Sequence, residues 1–287
     1  MFDKVEAFYR PASVREALRL LHTGNGKARV VAGGTDVAVE ADPSIRFLID
    51  ITQAGLDYIR RKGNVCTIGA TTTMAALEAS PVIRGLAGGI LAQAAAACGS
   101  VQIRNMATLG GNLSNGSPAA DAATVLLALE AEIVVAHQRG RKASSLAALY
   151  SPLRQGLLHE ALIVEVAIPI PARGGRWSFH KLGRTEVDIS LVNVAAGLQL
   201  DSRNRVKWVR IALGAVANSP IRAVNAETLA AGRTFDEILI EDICDEVARE
   251  VTPITDVRAS AEYRRTMCRV LTKRALQECA ARTGCSL

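Results

Sequence analysis

A chain of 287 residues is long enough for one large domain or roughly two or three smaller ones, with a sizeable buried core. Its 49% hydrophobic and 22% charged residues are those of a soluble globular protein, and aromatics at 4% are too sparse for stacking platforms on single-stranded nucleic acid. The net charge of +6 comes from scattered basic residues, with clusters no longer than "IRRK" and "RGRK", so it describes a solvated surface rather than a nucleic-acid footprint.

The opening "MFDKVEAFYRP" has no apolar h-region and no segment approaches a membrane span, so a reducing, cytoplasmic setting is expected. The first helix starts after Ser13, which has capping-box spacing to Glu16, and places Val14, Ala17, Leu18 and Leu21 on one face. "ARVV" predicts a short strand that breaks into Gly33-Gly34-Thr35-Asp36. "FLIDIT" and "VCTIGATTT" predict further strands, and "TTTMAALEAS" the start of a short helix. From Pro81, "PVIRGLAGGILAQAAAACG" reads as a helix of small residues suited to close packing. "TLGGNLSNGSPAAD" then supplies bare backbone and small polar groups ahead of a helix ending near Leu129, followed by a strand at "EIVVAH".

"QRGRKASS" reads as a polar connection and "ALIVEVAIPIP" as a strand, and the loop "ARGGR" is taken as a domain boundary. Beyond it, "WSFHKLG", "SLVNVAAGLQLD" and "RVKWVRIALGAVA" predict three antiparallel strands, the last two joined by the turn "DSRN". Two helices close the chain, with Ile240, Ile243, Val247 and Val251 on one face of the first and Met267, Leu271, Ala275 and Cys279 in a ladder on the second. The class expected from this order is α+β.

Two glycine-rich stretches carry the chemistry. Successive N–H groups in such loops form anion nests, because glycine accepts unusual φ values and has no Cβ to block approach. Thr35 adds a hydroxyl to the first; Thr108 and the Asn112 amide add donors to the second, around Gly110 and Gly111. Two nests suit the two phosphates of a dinucleotide, and Asp121 suits a sugar hydroxyl or bound amide better than a phosphate. From the residues alone, a plain surface turn remains open for "GGTD" and for "TLGGNLSNGSPAAD" alike, as does an exposed strand edge for the charged cluster Lys181, Arg184, Glu186 and Asp188. Neither stretch is a Rossmann or Walker motif. Cys66, Cys98, Cys244, Cys268, Cys279 and Cys285 form no C-x-x-C pair, the four histidines lack metal-ligand spacing, and no nucleophile elbow exists, so neither a metal site nor catalytic side chains are expected on this chain.

Taken together, "VVAGGTDV" and "QIRNMATLGGNLSNGSPAADA" resemble the FAD-binding medium subunit of the molybdenum hydroxylases, of the xanthine dehydrogenase and aerobic carbon monoxide dehydrogenase type. The resemblance extends over nearly the whole chain: "FDKVEAFYRPASVREALRLL" is similar to the family's opening, "IGATTTMAALEAS" to its middle and "AEYRRTMCRVLTKRAL" to its last helix. Val101 departs from the proline that usually precedes "QIRN". The resemblance implies a vanillyl-alcohol-oxidase (PCMH)-type FAD-binding domain over residues 1–173, with subdomains of about 1–55 and 56–173, and a C-terminal domain over 174–287 with a three-stranded antiparallel sheet and a helix pair.

It also implies FAD as cofactor. Val31, Ala32, Gly33, Gly34, Thr35 and Asp36 would wrap its diphosphate, and Thr108, Gly110, Gly111 and Asn112 would complete the grip. Asp121 would stand by the ribityl–phosphate or adenosine region, Val164 or its neighbour Ile163 near the flavin by backbone contact, and Lys181 at the flavin end. The implied partners are a molybdopterin-binding large subunit and a small subunit with two two-iron two-sulfur clusters, and the implied role is passing electrons through FAD to NAD or another acceptor. The alternatives are a self-contained flavin oxidase of the same superfold and a non-catalytic scaffold subunit. With no His or Cys at a tethering position, non-covalent flavin is expected.

Overall fold

The computed structural model describes residues 4–151 and 154–281; Cys285 lies outside them. The chain groups into two compact units, each assembled from separated segments.

The first unit comprises Met1–Leu77, Ser100–Gly116 and Ala131–Pro169. Its helix Val14–Thr23 begins as the sequence predicts: Glu16 N–H donates to Ser13 Oγ at 3.2 Å, the Glu16 carboxylate accepts from Ala12 N–H, and Ala17 and Leu18 are buried. Three parallel strands form the unit's first sheet, with Phe47–Asp50 flanked by Ala7–Tyr9, which precedes the helix, and Ala28–Val31. A second, antiparallel sheet runs in the spatial order Ile59–Lys62, Val65–Gly69, Leu162–Pro169, Glu132–His137, Gly140–Ser145. The last of these is the "QRGRKASS" segment, read from sequence as a connection. It pairs on one side only and is exposed along nearly its whole length, so it carries no apolar alternation by which to be recognised.

The second unit comprises Glu78–Gly99, Ser117–Glu130 and Ile170–Leu287. Its antiparallel sheet has four strands, in the order Ile221–Arg222, Val206–Gly214, Val192–Leu200, Arg176–Leu182, one more than predicted. The extra strand is two residues long, too short to show a period, and leads into an unpredicted helix, Val224–Ala230. The predicted helix pair is present as Glu237–Glu250 and Ala261–Ala281. Its buried faces (Ile240, Ile243, Val247, Leu271, Ala275, Cys279) share one core with Val194, Ala196, Leu198, Ile211 and Leu213 of the sheet. The helix read from Pro81 is instead broken into Pro81–Arg84, a 3-10 turn at Ala87–Gly89 and Ile90–Ala96. Ala87, Gly88 and Gly89 take φ of 48°, 65° and 79°, a left-handed run that no α-helix can contain. Helix Asp121–Ala128 is buried on every side, which explains why all of its residues but Asp121 and Thr124 are apolar.

Close packing leaves no room for a side chain at Gly197 of this sheet. A Cβ on Gly197 would stand 2.4 Å from Cζ3 of Trp177, whose ring is buried on the neighbouring strand. Gly197→Ala is therefore expected to lose about 1–3 kcal/mol in urea unfolding, and parental stability would show that the Trp177 ring has room to move.

Candidate functional site

In the first unit the strand Ala28–Val31 ends where Ile51 N–H donates to the Val31 carbonyl at 2.9 Å. The chain then leaves the sheet. Among the described residues, none of the backbone N–H groups of Ala32, Gly33, Gly34, Thr35 and Asp36 has an acceptor in the protein. Residues 31–35 are half-buried and Asp36 is exposed. A run of unsatisfied donors at partly buried backbone is costly unless a ligand or water takes them. Gly34 has φ +71°, the left-handed value that lets a short loop curl its N–H groups together. Gly33 is glycine for another reason: a Cβ there would lie 1.7 Å from the Met106 carbonyl oxygen and 3.0 Å from Ala107 N. The two glycine-rich stretches thus meet backbone to backbone.

The second stretch is a helix, Leu109–Asn115, where the sequence had suggested loop. Thr108 caps it, accepting from Gly111 N–H at 3.2 Å. Leu109 N–H donates to the Thr72 carbonyl at 2.9 Å and Gly110 N–H to the Ala70 carbonyl at 2.8 Å, so these amides are already satisfied within the protein. Gly110 is a packing residue, since a Cβ there would lie 2.7 Å from the Ala70 methyl and 2.8 Å from its carbonyl oxygen. Gly111 is exposed, and its Cβ would meet only Thr108 Oγ1, at 3.0 Å. One donor read from sequence remains for a ligand, the Thr108 hydroxyl, which can still give its hydrogen; Asn112 instead shows a buried acceptor, its Oδ1, without a partner.

Val164 joins this group through Ala70. It is the unpaired residue of a bulge in Leu162–Pro169, opposite the step from Val134 to Val135, and its carbonyl accepts from Ala70 N–H at 3.1 Å. Its side chain is fully buried, so only its backbone can meet a ligand. The strut from Gly69 to Thr73 escaped the sequence reading as a site element, including Thr71, whose buried hydroxyl has no partner.

In the second unit Asp121 and Lys181 come together. Asp121 opens the helix Asp121–Ala128 and is 5% exposed. Its Oδ1 accepts from Ser190 Oγ and Asn193 Nδ2, both at 2.6 Å, and its Oδ2 from Lys181 Nζ at 2.8 Å. Lys181 also donates to the Ala97 carbonyl at 2.6 Å. Lys181, Asn193 and Gly214 lie in one row across three strands. Gly214 lacks the Cβ that would strike Asn193 Oδ1 and Thr124 Oγ1, at 2.3 and 2.5 Å. Burial pushes the Asp121 carboxyl up, against the opposing pull of the Lys181 ammonium and the Ser190 and Asn193 donors. One Lys181 N–H and one lone pair on Asp121 Oδ2 are left for a ligand. Ser190 and Asn193 were not foreseen as site residues; the available signal was two polar side chains at the head of an otherwise apolar strand. Arg184 and Asp188, from the same charged cluster, pair with each other at the surface.

Comparison with known proteins decides what this arrangement belongs to. Residues 2–171 match the family described as the FAD binding domain in molybdopterin dehydrogenase, and residues 177–279 the CO dehydrogenase flavoprotein C-terminal domain. The chain belongs to the FAD-binding subunits of the molybdenum hydroxylases. It is 32% identical to the xanthine dehydrogenase FAD-binding subunit of Escherichia coli O157:H7, over 99% of either chain, and 29% identical to the glyceraldehyde dehydrogenase medium chain of Sulfolobus acidocaldarius, over 98% of this chain and all of that one. Among solved structures, a carbon monoxide dehydrogenase from Hydrogenophaga pseudoflava superposes with a TM-score of 0.91 at 30% identity, covering 97% of this chain and 98% of that one.

This flavoprotein subunit is a component of an FAD-dependent oxidoreductase, with the family's mixed α and β domain followed by an antiparallel sheet and helices. Free N–H groups at 32–36 fit a diphosphate, and the orphaned Asn112 Oδ1 fits a donor group of the ligand, such as a hydroxyl. Among the described residues no three His, Cys, Asp or Glu side chains converge as a metal-binding group, and no helix is long and apolar enough to cross a membrane.

The four glycines therefore separate by role. Gly33→Ala and Gly110→Ala are expected to cost at least about 3 kcal/mol of unfolding free energy, because the obstacle is backbone that cannot turn aside. Gly111→Ala should stay within about 0.5 kcal/mol of the parent. Equal losses at Gly110 and Gly111 in urea titrations would refute this division.

Proposed function

We propose that this chain is the electron-transferring flavin subunit of a molybdenum hydroxylase complex. The observation that carries the reading is the run of five unengaged N–H groups from Ala32 to Asp36, fixed against the helix that carries Thr108, Gly111 and Asn112. These residues and Val31 hold the FAD diphosphate, which needs many donors and close backbone approach and no catalytic acid or base. Gly110 supports the grip from behind by its contact with Ala70. Val164 meets the flavin by its backbone, Asp121 serves the ribityl–phosphate or adenosine region, and Lys181 places a cation at the flavin end.

FAD, when bound, supplies a centre that takes electrons singly and passes them on in pairs. The chain's residues orient that centre, bias it electrostatically and leave a face open to the acceptor. NAD is the acceptor favoured, by analogy with the xanthine dehydrogenase type. The FAD-binding domain spans residues 1–173, as subdomains of about 1–55 and 56–173, and residues 174–287 form the C-terminal domain. The partners are a molybdopterin-binding large subunit and a small subunit with two-iron two-sulfur clusters, and the complex works in the cytoplasm. The medium-chain names of the relatives support such an assembly.

The purified single chain is expected to carry FAD that acid precipitation releases completely into the supernatant. Gly34→Val and Gly111→Val should purify folded with little flavin. The chain should oxidise no purine or other hydroxylase substrate without its partners. Full FAD occupancy in either variant would remove that loop from the site, and turnover of an organic substrate by the single chain would replace the subunit reading with a self-contained oxidase.

A further inference from the structure

Arg264, on the helix Ala261–Ala281, is 3% exposed. A guanidinium taken out of water must find acceptors and a counter-charge. Its Nη1 donates to the Leu191 carbonyl at 2.7 Å and to the Ala215 carbonyl at 3.2 Å, and its Nη2 to Asp256 Oδ1 at 2.8 Å. Asp256 also accepts from the N–H groups of Arg258 and Ala259, which hold its carboxyl well below the usual carboxylate range and keep it an anion for Arg264.

The two carbonyls lie on the two arms that build the Asp121 cluster. Leu191 follows Ser190 and precedes Asn193, the two donors to Asp121 Oδ1, and its own N–H donates to the carbonyl of Leu182, next to Lys181. Ala215 follows Gly214, and its N–H donates at 2.6 Å to the Pro118 carbonyl, in the segment that leads into Asp121. Ala215 has φ +63°, a left-handed conformation that a residue with a Cβ keeps only where its surroundings over-determine it. Here the Pro118 bond on one side and the Arg264 bond on the other do so.

We infer that Arg264 is a positioning residue for the flavin site, setting the geometry of the Asp121–Lys181–Ser190–Asn193 cluster through Leu191 and Ala215. The inference rests on the reading of that cluster as part of the FAD site. Lysine cannot replace it: an ammonium can pair with Asp256 but does not present the planar fork that reaches two carbonyls and a carboxylate together.

The test uses the full chain loaded with FAD and compares Arg264→Lys, Asp121→Asn and the double variant. The readouts are FAD dissociation, followed by flavin fluorescence, and the flavin midpoint potential. Arg264→Lys should raise the dissociation constant by about tenfold and move the potential in the same direction as Asp121→Asn. The double variant should go no further than Asp121→Asn alone, because the two changes act on one cluster. If Arg264→Lys lowers only the melting temperature, or if the two effects add, Arg264 is merely structural and the inference is overturned. If Asp121→Asn itself leaves affinity and potential unchanged, the reading of the cluster fails and takes the inference with it, which is a different result. Should Arg264→Lys not fold, Asp256→Asn loosens the same guanidinium from its more exposed side. It must give a smaller shift of the same sign, and no shift would equally overturn the inference.

Discussion

The contact between Gly33 and the backbone of Met106 and Ala107 is the constraint on which the first unit's site depends. No side chain fits there, not even a methyl group, so the strand Ala28–Val31 and the helix Leu109–Asn115 must bring their adjoining loops together at the same point. Once that approach is fixed, the amides of 32–36 cannot join a sheet or helix of their own, and they remain as a fixed group of donors. Gly110 and Ala70 repeat the device on the other side of the helix, and Val164 is tied in through Ala70. The amides of 32–36 are unengaged while those of Leu109 and Gly110 are consumed, which separates the open part of the motif from its scaffold.

The second unit meets a different problem. A carboxylate at 5% exposure is costly to bury, and pairing offsets the cost only if its lone pairs find donors. Asp121 does so with an ammonium, a hydroxyl and an amide, each delivered by a strand of the sheet or the segment leading into one. Such a cluster is rigid because removing any member leaves a buried polar group unsatisfied. A rigid, nearly neutral pair holds the Lys181 ammonium at one defined place.

Much of the glycine-rich turn at 33–36 was legible because glycine pairs beside element ends are rare and have few physical causes. The sequence could not say which cause applied to which residue. Gly33 and Gly110 face protein backbone, whereas Gly34 and Gly111 do not, and only the partners Met106 and Ala70 reveal it. The capping box at Ser13 was readable since it is local. Ser190 and Asn193 were not, because their partner lies far away in the chain and a polar residue in a strand has many possible reasons. The edge strand Gly140–Ser145 and the two-residue strand Ile221–Arg222 carried no period to detect. The break at Ala87 was hidden by an alanine-rich run whose propensity favours helix, overridden here by a left-handed turn at Ala87, Gly88 and Gly89.

The central claim is that the free backbone amides of residues 32–36 grip the diphosphate, whereas the amides of Leu109 and Gly110 take no part in it. Amide hydrogen exchange of the chain with and without FAD tests it most directly. The account predicts that the amides of Ala32 through Asp36 exchange freely without FAD and become strongly protected with it, while those of Leu109 and Gly110, already bonded to Thr72 and Ala70, are protected in both states. Equal exchange at 32–36 with FAD bound, or protection gained only at Leu109 and Gly110, would contradict it.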